Sequence, residues 1–165
     1  MSDISHENIL LKDIVEKLRE CSNILKNFLK EEFLGMILFG SWARGEAKVD
    51  SDIDLFILLR GLKGFEARSE IYKVLARCVK KPVTLIDVRF DELFRESINL
   101  TPLLLNILYD GVVIYDETGL LTKLVAKTRE FVRSTGLVRY KTKDGNYGWE
   151  RSDKKPLEVI KWSLE

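Results

Sequence analysis

Gly40-Ser41-Trp42-Ala43-Arg44-Gly45, followed closely by Ser51-Asp52-Ile53-Asp54-Leu55, decides how this chain is read. The first stretch follows the apolar run Met36-Ile37-Leu38-Phe39, and the second opens an apolar run that ends at Leu59. A strand, a tight turn leading into a short helix over 42–47, and a second strand over 53–59 account for this pattern. Alternate residues of a strand share a face, so Asp52 and Asp54 project together beside the turn.

The turn suits a dense anion. Gly40 lacks a Cβ, so its backbone can come close to a phosphate. Ser41 supplies a hydroxyl and is placed to cap the helix that follows. The first N–H groups of that helix face the same space, and Arg44 adds charge. Asp54 stands among Ile53, Leu55, Phe56 and Ile57, as in a buried strand. A buried carboxylate is expensive, and a second one beside it raises its pKa. A bound divalent cation relieves both penalties, and Mg2+ or Mn2+ takes carboxylate and phosphate oxygens readily.

These residues resemble the signature of the DNA polymerase beta nucleotidyltransferase superfamily, in its minimal prokaryotic form. The resemblance rests on Gly40-Ser41, the intervening Arg44-Gly45-Glu46-Ala47, and Ser51-Asp52-Ile53-Asp54-Leu55, and covers residues 32–116. It implies a small mixed sheet flanked by helices, an α/β (α+β) fold. It implies transfer of a nucleoside monophosphate from an NTP, with ATP the first choice, to a hydroxyl acceptor with release of pyrophosphate. Gly40, Ser41, Arg44 and Ser51 would then bind nucleotide, while Asp52 and Asp54 would bind metal. The family places a third carboxylate on a later strand, where this chain has Pro82-Val83-Thr84-Leu85-Ile86-Asp87-Val88. Thr84 occupies the usual acidic position, and Asp87, three residues on, points to the other face of a regular strand. A β-bulge would re-aim it, which makes Asp87 the candidate third ligand and two metal ions the corresponding count. Arg60, Lys63 and Arg68 follow the metal strand and are placed to steer phosphates.

The resemblance leaves the acceptor open: a partner protein, an RNA end or a small molecule. Minimal members pair with helical HEPN-like proteins as toxin–antitoxin systems, so a HEPN-like partner is expected, and a homodimeric site is the other arrangement. A second reading is a non-catalytic nucleotide-binding module or antitoxin-type partner, favoured by Thr84. A third is an RNA-binding protein led by the tail.

The tail differs from the rest. Arg133 to Lys155 holds seven basic residues against three acidic ones, interleaved with Tyr140, Tyr147 and Trp149. Such a mixture suits a nucleic-acid surface, but the favoured reading is a β-hairpin turning at 143–146 and packed on the last helix. Elsewhere, helices are expected over 7–30, 65–80 and 120–133, with shorter ones after Asp91 and after Thr101. Strands are expected over 83–88 and 112–115. The organisation expected is an N-terminal helix (1–34), a nucleotidyltransferase core (35–116) and a C-terminal helix with the basic hairpin (117–165).

With 165 residues and a net charge of +1, the chain carries no global field that demands nucleic acid or membrane. Its apolar runs are too short to span a bilayer, and Met1-Ser2-Asp3 is no signal peptide. Cys21 and Cys78 form no Cys-x-x-Cys and read as reduced core residues, consistent with the cytoplasm. His6, the one histidine, excludes His-based zinc sites and Ser-His-Asp hydrolysis.

Overall fold

The computed structural model describes residues 2–156 and 161–162; the side chains of residues 2–9, including the His6 imidazole, and the last stretch of the tail lie outside the described residues. Helix α1 (Ser2–Leu29) begins five residues earlier than its apolar periodicity suggests and leads through a short 3-10 turn into β1 (Phe33–Phe39). The order continues α2 (Gly40–Arg44), β2 (Ile53–Leu59), α3 (Phe65–Val79), β3 (Val83–Arg89), α4 (Phe90–Leu93), β4 (Ile98–Asn99), α5 (Pro102–Asp110), β5 (Val112–Asp116) and α6 (Leu120–Thr135). The hairpin β6 (Leu137–Lys141) and β7 (Tyr147–Arg151) follows, and β8 (Lys161–Trp162) pairs with β4.

Four strands form the central sheet in the order β3-β2-β1-β5. β1 runs antiparallel to β2 and to β5, whereas β2 and β3 are parallel, joined by the crossover helix α3. The sheet is therefore small and mixed, with helices on both faces, as the resemblance implies. Alternation sorts its side chains. Met36, Leu38, Ile53, Leu55 and Ile57 pack with residues of α1 and α3, including Leu18, Leu25, Ile71 and Leu75. Ile37, Phe39, Phe56 and Leu58 pack with α5 and α6 through Leu105, Leu108, Leu121 and Leu124. β1 is buried along its whole length, which is why it reads as a continuous apolar run rather than an alternating one.

Gly35 lies inside β1 rather than opening it, beside a shift in the β1–β2 register. A Cβ there would collide with Leu121 Cδ1, so the glycine lets α6 sit close to the sheet.

The cysteines require a correction. Cys21 and Cys78 form a disulfide, with Cα atoms 5.9 Å apart. They are remote in sequence, yet α1 and α3 pack on the same sheet face and bring them together. The redox argument for a cytoplasmic protein falls with the reduced thiols. Among the described residues no helix is long and apolar enough to cross a membrane.

The hairpin forms with the expected turn, its register running from Leu137↔Arg151 to Lys141↔Tyr147. It docks on α5. The Trp149 indole N–H donates to Asn106 Oδ1 at 2.8 Å, and the Asn106 amide donates to the Tyr147 carbonyl at 3.1 Å. Tyr109 meets Trp149 edge to face at 5.1 Å between ring centroids.

Candidate nucleotide and metal site

The site lies where β1 ends and β2 begins. Their antiparallel register sets Phe39 opposite Asp54, so the chain leaving β1 must turn directly over that carboxylate. Gly40 makes the turn with φ +71, in the left-handed region. A Cβ on Gly40 would collide with Asp54 Oδ2 and stand 2.9 Å from its Cγ. The glycine is thus demanded by the carboxylate as well as by backbone conformation. Sequence reasoning found the residue through a different need, close approach to a phosphate.

Helix α2 spans Gly40–Arg44, two residues earlier than expected, and its N-cap is Phe39. Ser41 therefore sits inside the first turn instead of capping it, on the helix face that also carries Arg44. Gly45 closes the helix in a left-handed conformation, its N–H directed at the carbonyls of Ser41 and Trp42. The loop to β2 is fixed from within. The buried Trp42 indole donates to the Ser51 carbonyl at 3.2 Å, and the Ser51 hydroxyl accepts from the Lys48 N–H at 2.8 Å. Lys81 donates to the Val49 carbonyl at 3.0 Å while lying over the Trp42 ring. Ser51 shapes the loop that presents Asp52.

Asp52 is exposed and Asp54 half-buried. Burial pushes the Asp54 carboxyl above its ordinary range, and a hydrogen bond with Thr84 opposes that rise. The neighbouring Asp52 charge adds to the rise, and Arg44 again opposes it. An electron-rich pair held in this way, next to an open turn, has the donor set for one divalent cation completed by phosphate and water oxygens.

Asp87 does not join the pair. β2 and β3 run in parallel register from Ile53↔Val83 to Leu59↔Arg89, so no bulge re-aims it. Thr84 stands opposite Asp54, and Asp87 stands opposite Ile57, whose side chain belongs to the α1/α3 face. There Asp87 accepts from the Arg68 guanidinium at 2.5 Å. The same contact draws Arg68 away from phosphate steering, and Arg60 donates to the Glu31 carbonyl at 3.1 Å. Among the described residues no group of three His, Cys, Asp or Glu side chains is placed to hold a metal ion.

Sequence reasoning missed the surroundings of Arg44. Its Nε donates to Glu46 at 3.1 Å and its Nη1 lies 3.4 Å from Asp110 at the end of α5. The interleaved aromatic and basic residues of the tail were the available signal. Their acidic counterpart, Asp110, lies outside the tail.

A family profile described as polymerase beta, nucleotidyltransferase, matches residues 19–118. Two Methanocaldococcus jannaschii proteins provisionally named protein adenylyltransferases are similar in sequence. MJ0141 is 32% identical over 65 residues, covering 39% of this chain and 66% of that protein. MJ1305 is 32% identical over 90 residues, covering 50% of this chain and 53% of that protein. The chain thus spans about half to two thirds of these curated relatives. A solved toxin–antitoxin structure with AMP-PNP has a similar fold, with a TM-score of 0.51, 20% identity, and coverage of 70% of this chain and 87% of that one.

Proposed function

This chain belongs to the polymerase beta nucleotidyltransferase family, and from that premise we propose that it transfers AMP from ATP to a hydroxyl group of a partner protein, releasing pyrophosphate. The observation that carries the proposal is the contact of the Gly40 turn with the Asp54 carboxylate, which joins a phosphate-accepting turn to a metal-accepting pair. The names of the two archaeal relatives support a protein acceptor and an adenylyl donor. The resemblance favours a helical HEPN-like partner. In this reading residues 35–116 carry the chemistry, helix α1 braces the sheet, and the hairpin β6–β7 completes the surroundings of Arg44. Dependence on an NTP assigns the reaction to the cytoplasm, which holds such donors.

The Gly40 and Ser41 turn receives the β- and γ-phosphates, and Arg44, one helical turn on, adds a cation beside them. Asp52 and Asp54 are the residues that would hold one Mg2+. The chemistry such an ion would supply there is neutralisation of charge on the phosphates. Thr84 stands opposite Asp54 across the β2–β3 pairing, placed to orient its carboxylate. The acceptor hydroxyl attacks the α-phosphorus in line: its oxygen forms the new P–O bond, the bond to the bridging oxygen breaks, pyrophosphate leaves, and the hydroxyl proton passes to solvent or to a base on the acceptor. Catalysis rests on positioning and charge neutralisation.

The test is to incubate the protein with α-labelled ATP and Mg2+, with and without lysate of its source, and to follow label onto protein. Label is expected on a protein band, and Asp54→Asn should reduce it about 100-fold or more. Undiminished labelling by that variant would end the proposal. The position of Thr84, together with Asp87 turned away, favours a second reading: a nucleotide-binding, antitoxin-type partner that acts by contact alone. Clear ATP binding by calorimetry without any transfer of label would support it.

A further inference from the structure

Arg44 is held from two directions by segments far away in sequence. Its Nη1 approaches Asp110, a carboxylate whose side chain is only 6% exposed. Asp110 is already neutralised by Arg139 of the hairpin, whose Nη1 donates to both oxygens, at 2.6 and 2.7 Å. The longer contact of 3.4 Å is therefore the weaker of the two that Asp110 makes, and it helps fix Arg44 in place. Tyr147, on the facing hairpin strand, serves as a platform. The Arg44 guanidinium carbon lies 4.4 Å from its ring centroid and that of Arg139 lies 4.5 Å from it. The Tyr147 hydroxyl donates to Glu46 Oε1 at 2.7 Å, while Glu46 Oε2 accepts from Arg44 Nε at 3.1 Å. Two of the five guanidinium N–H groups are thus committed, one on Nε and one on Nη1, on a side chain carried one helical turn after the Gly40–Ser41 turn.

A freely solvated arginine samples many rotamers and spends entropy to meet a phosphate. An arginine stacked on a ring and tethered at two nitrogens has already lost that freedom, and its planar fork suits phosphate oxygens. We propose that the C-terminal hairpin is part of the nucleotide site, with Asp110, Arg139 and Tyr147 acting as positioning residues that hold Arg44 ready for the triphosphate. This rests on the reading of the turn as a phosphate site. It makes the hairpin a contributor to donor binding, a role distinct from selection of an acceptor.

The experiment is calorimetric titration of the full chain with Mg2+ and α,β-methylene ATP, and separately with AMP, which lacks the β- and γ-phosphates. Arg44→Gln should weaken triphosphate binding roughly tenfold and leave AMP binding unchanged. Asp110→Asn and Tyr147→Phe should each weaken triphosphate binding roughly three- to tenfold, again sparing AMP. Neither should weaken it further in the Arg44→Gln background. Tyr147→Phe keeps the stacked ring and removes one hydroxyl, so it reports even where Asp110→Asn fails to fold. Losses that multiply in the double variants, or that fall equally on AMP, would overturn the proposal while leaving the nucleotidyltransferase reading intact. A wild-type chain that binds no triphosphate would overturn both.

Discussion

Gly40 and Asp54 define each other. The glycine carries φ +71 and its missing Cβ is the space that the Asp54 carboxylate fills. Gly40→Ala meets both constraints at once, about 1–2 kcal/mol for the left-handed backbone plus the displacement of the Asp54 carboxylate. It should lower the urea midpoint and abolish binding of Mg2+ and ATP; calorimetry that finds undiminished affinity would refute the pairing. Asp54 makes a second prediction, whose sign is unusual. Burial, reinforced by Asp52, raises its carboxyl above the unfolded value. Its contribution to stability is therefore fully present below the unfolded pKa and is lost as pH rises through the folded one. At neutral pH, without metal, an ionised Asp54 is a burden on the fold. Asp54→Asn should then raise the Tm of the metal-free protein, and added Mg2+ should raise the Tm of the wild type alone. Thermal scans in EDTA and in Mg2+ check both. The meeting of the Gly40 turn with Asp54 was legible because it is set within a single turn and two adjoining strands, whereas Ser41 as a helix cap was not, since α2 starts at Gly40. Asp87 was misjudged because its use as a ligand required a bulge, and the β2–β3 register is regular.

At the scale of elements, periodicity located the strands of the central sheet and the long helices, since each buries one face. It did not reveal β4 and β8, which are two residues long and have no period to display. Nor did it pair Cys21 with Cys78, because that pairing depends on how α1 and α3 lie across the sheet. The disulfide joins the N-terminal helix to the crossover helix over a separation of 57 residues. Closing a loop of that size removes unfolded-state entropy worth about 4 kcal/mol in the chain-entropy account. Reduction, or Cys21→Ser with Cys78→Ser, should lower the urea midpoint and raise the m-value of the transition, because the released unfolded chain is less compact and exposes more surface. Alkylation with mass spectrometry would establish the bond directly. Free thiols in the protein isolated under oxidising conditions would contradict it.

Across the whole molecule, the tail shows how far composition carries a reading and where it stops. Its excess of basic residues and its aromatics allowed a nucleic-acid surface but favoured a hairpin packed inward, without saying on what. The decision lies with α5, which supplies Asn106 to Trp149, Tyr109 to the same indole and Asp110 to Arg139. None of these pairings is local, so no window along the chain contains both partners. The buried Trp149, 4% exposed, is the apolar centre of this junction. Trp149→Ala should destabilise the protein by about 3–5 kcal/mol, the usual cost of removing a buried large aromatic. It should also orphan the Asn106 carbonyl oxygen and loosen Tyr147, whose own carbonyl is held by the same asparagine. Two outcomes are then distinguishable. If the hairpin is integral to the core, urea unfolding of the wild type followed by tryptophan fluorescence and by circular dichroism gives one coincident transition, and Trp149→Ala moves it as a unit. If the hairpin detaches on its own, the fluorescence change precedes the loss of helix, and Trp149→Ala leaves the circular dichroism midpoint where it was. The indole's two-sided hold on α5, by hydrogen bond and by ring contact, predicts the first.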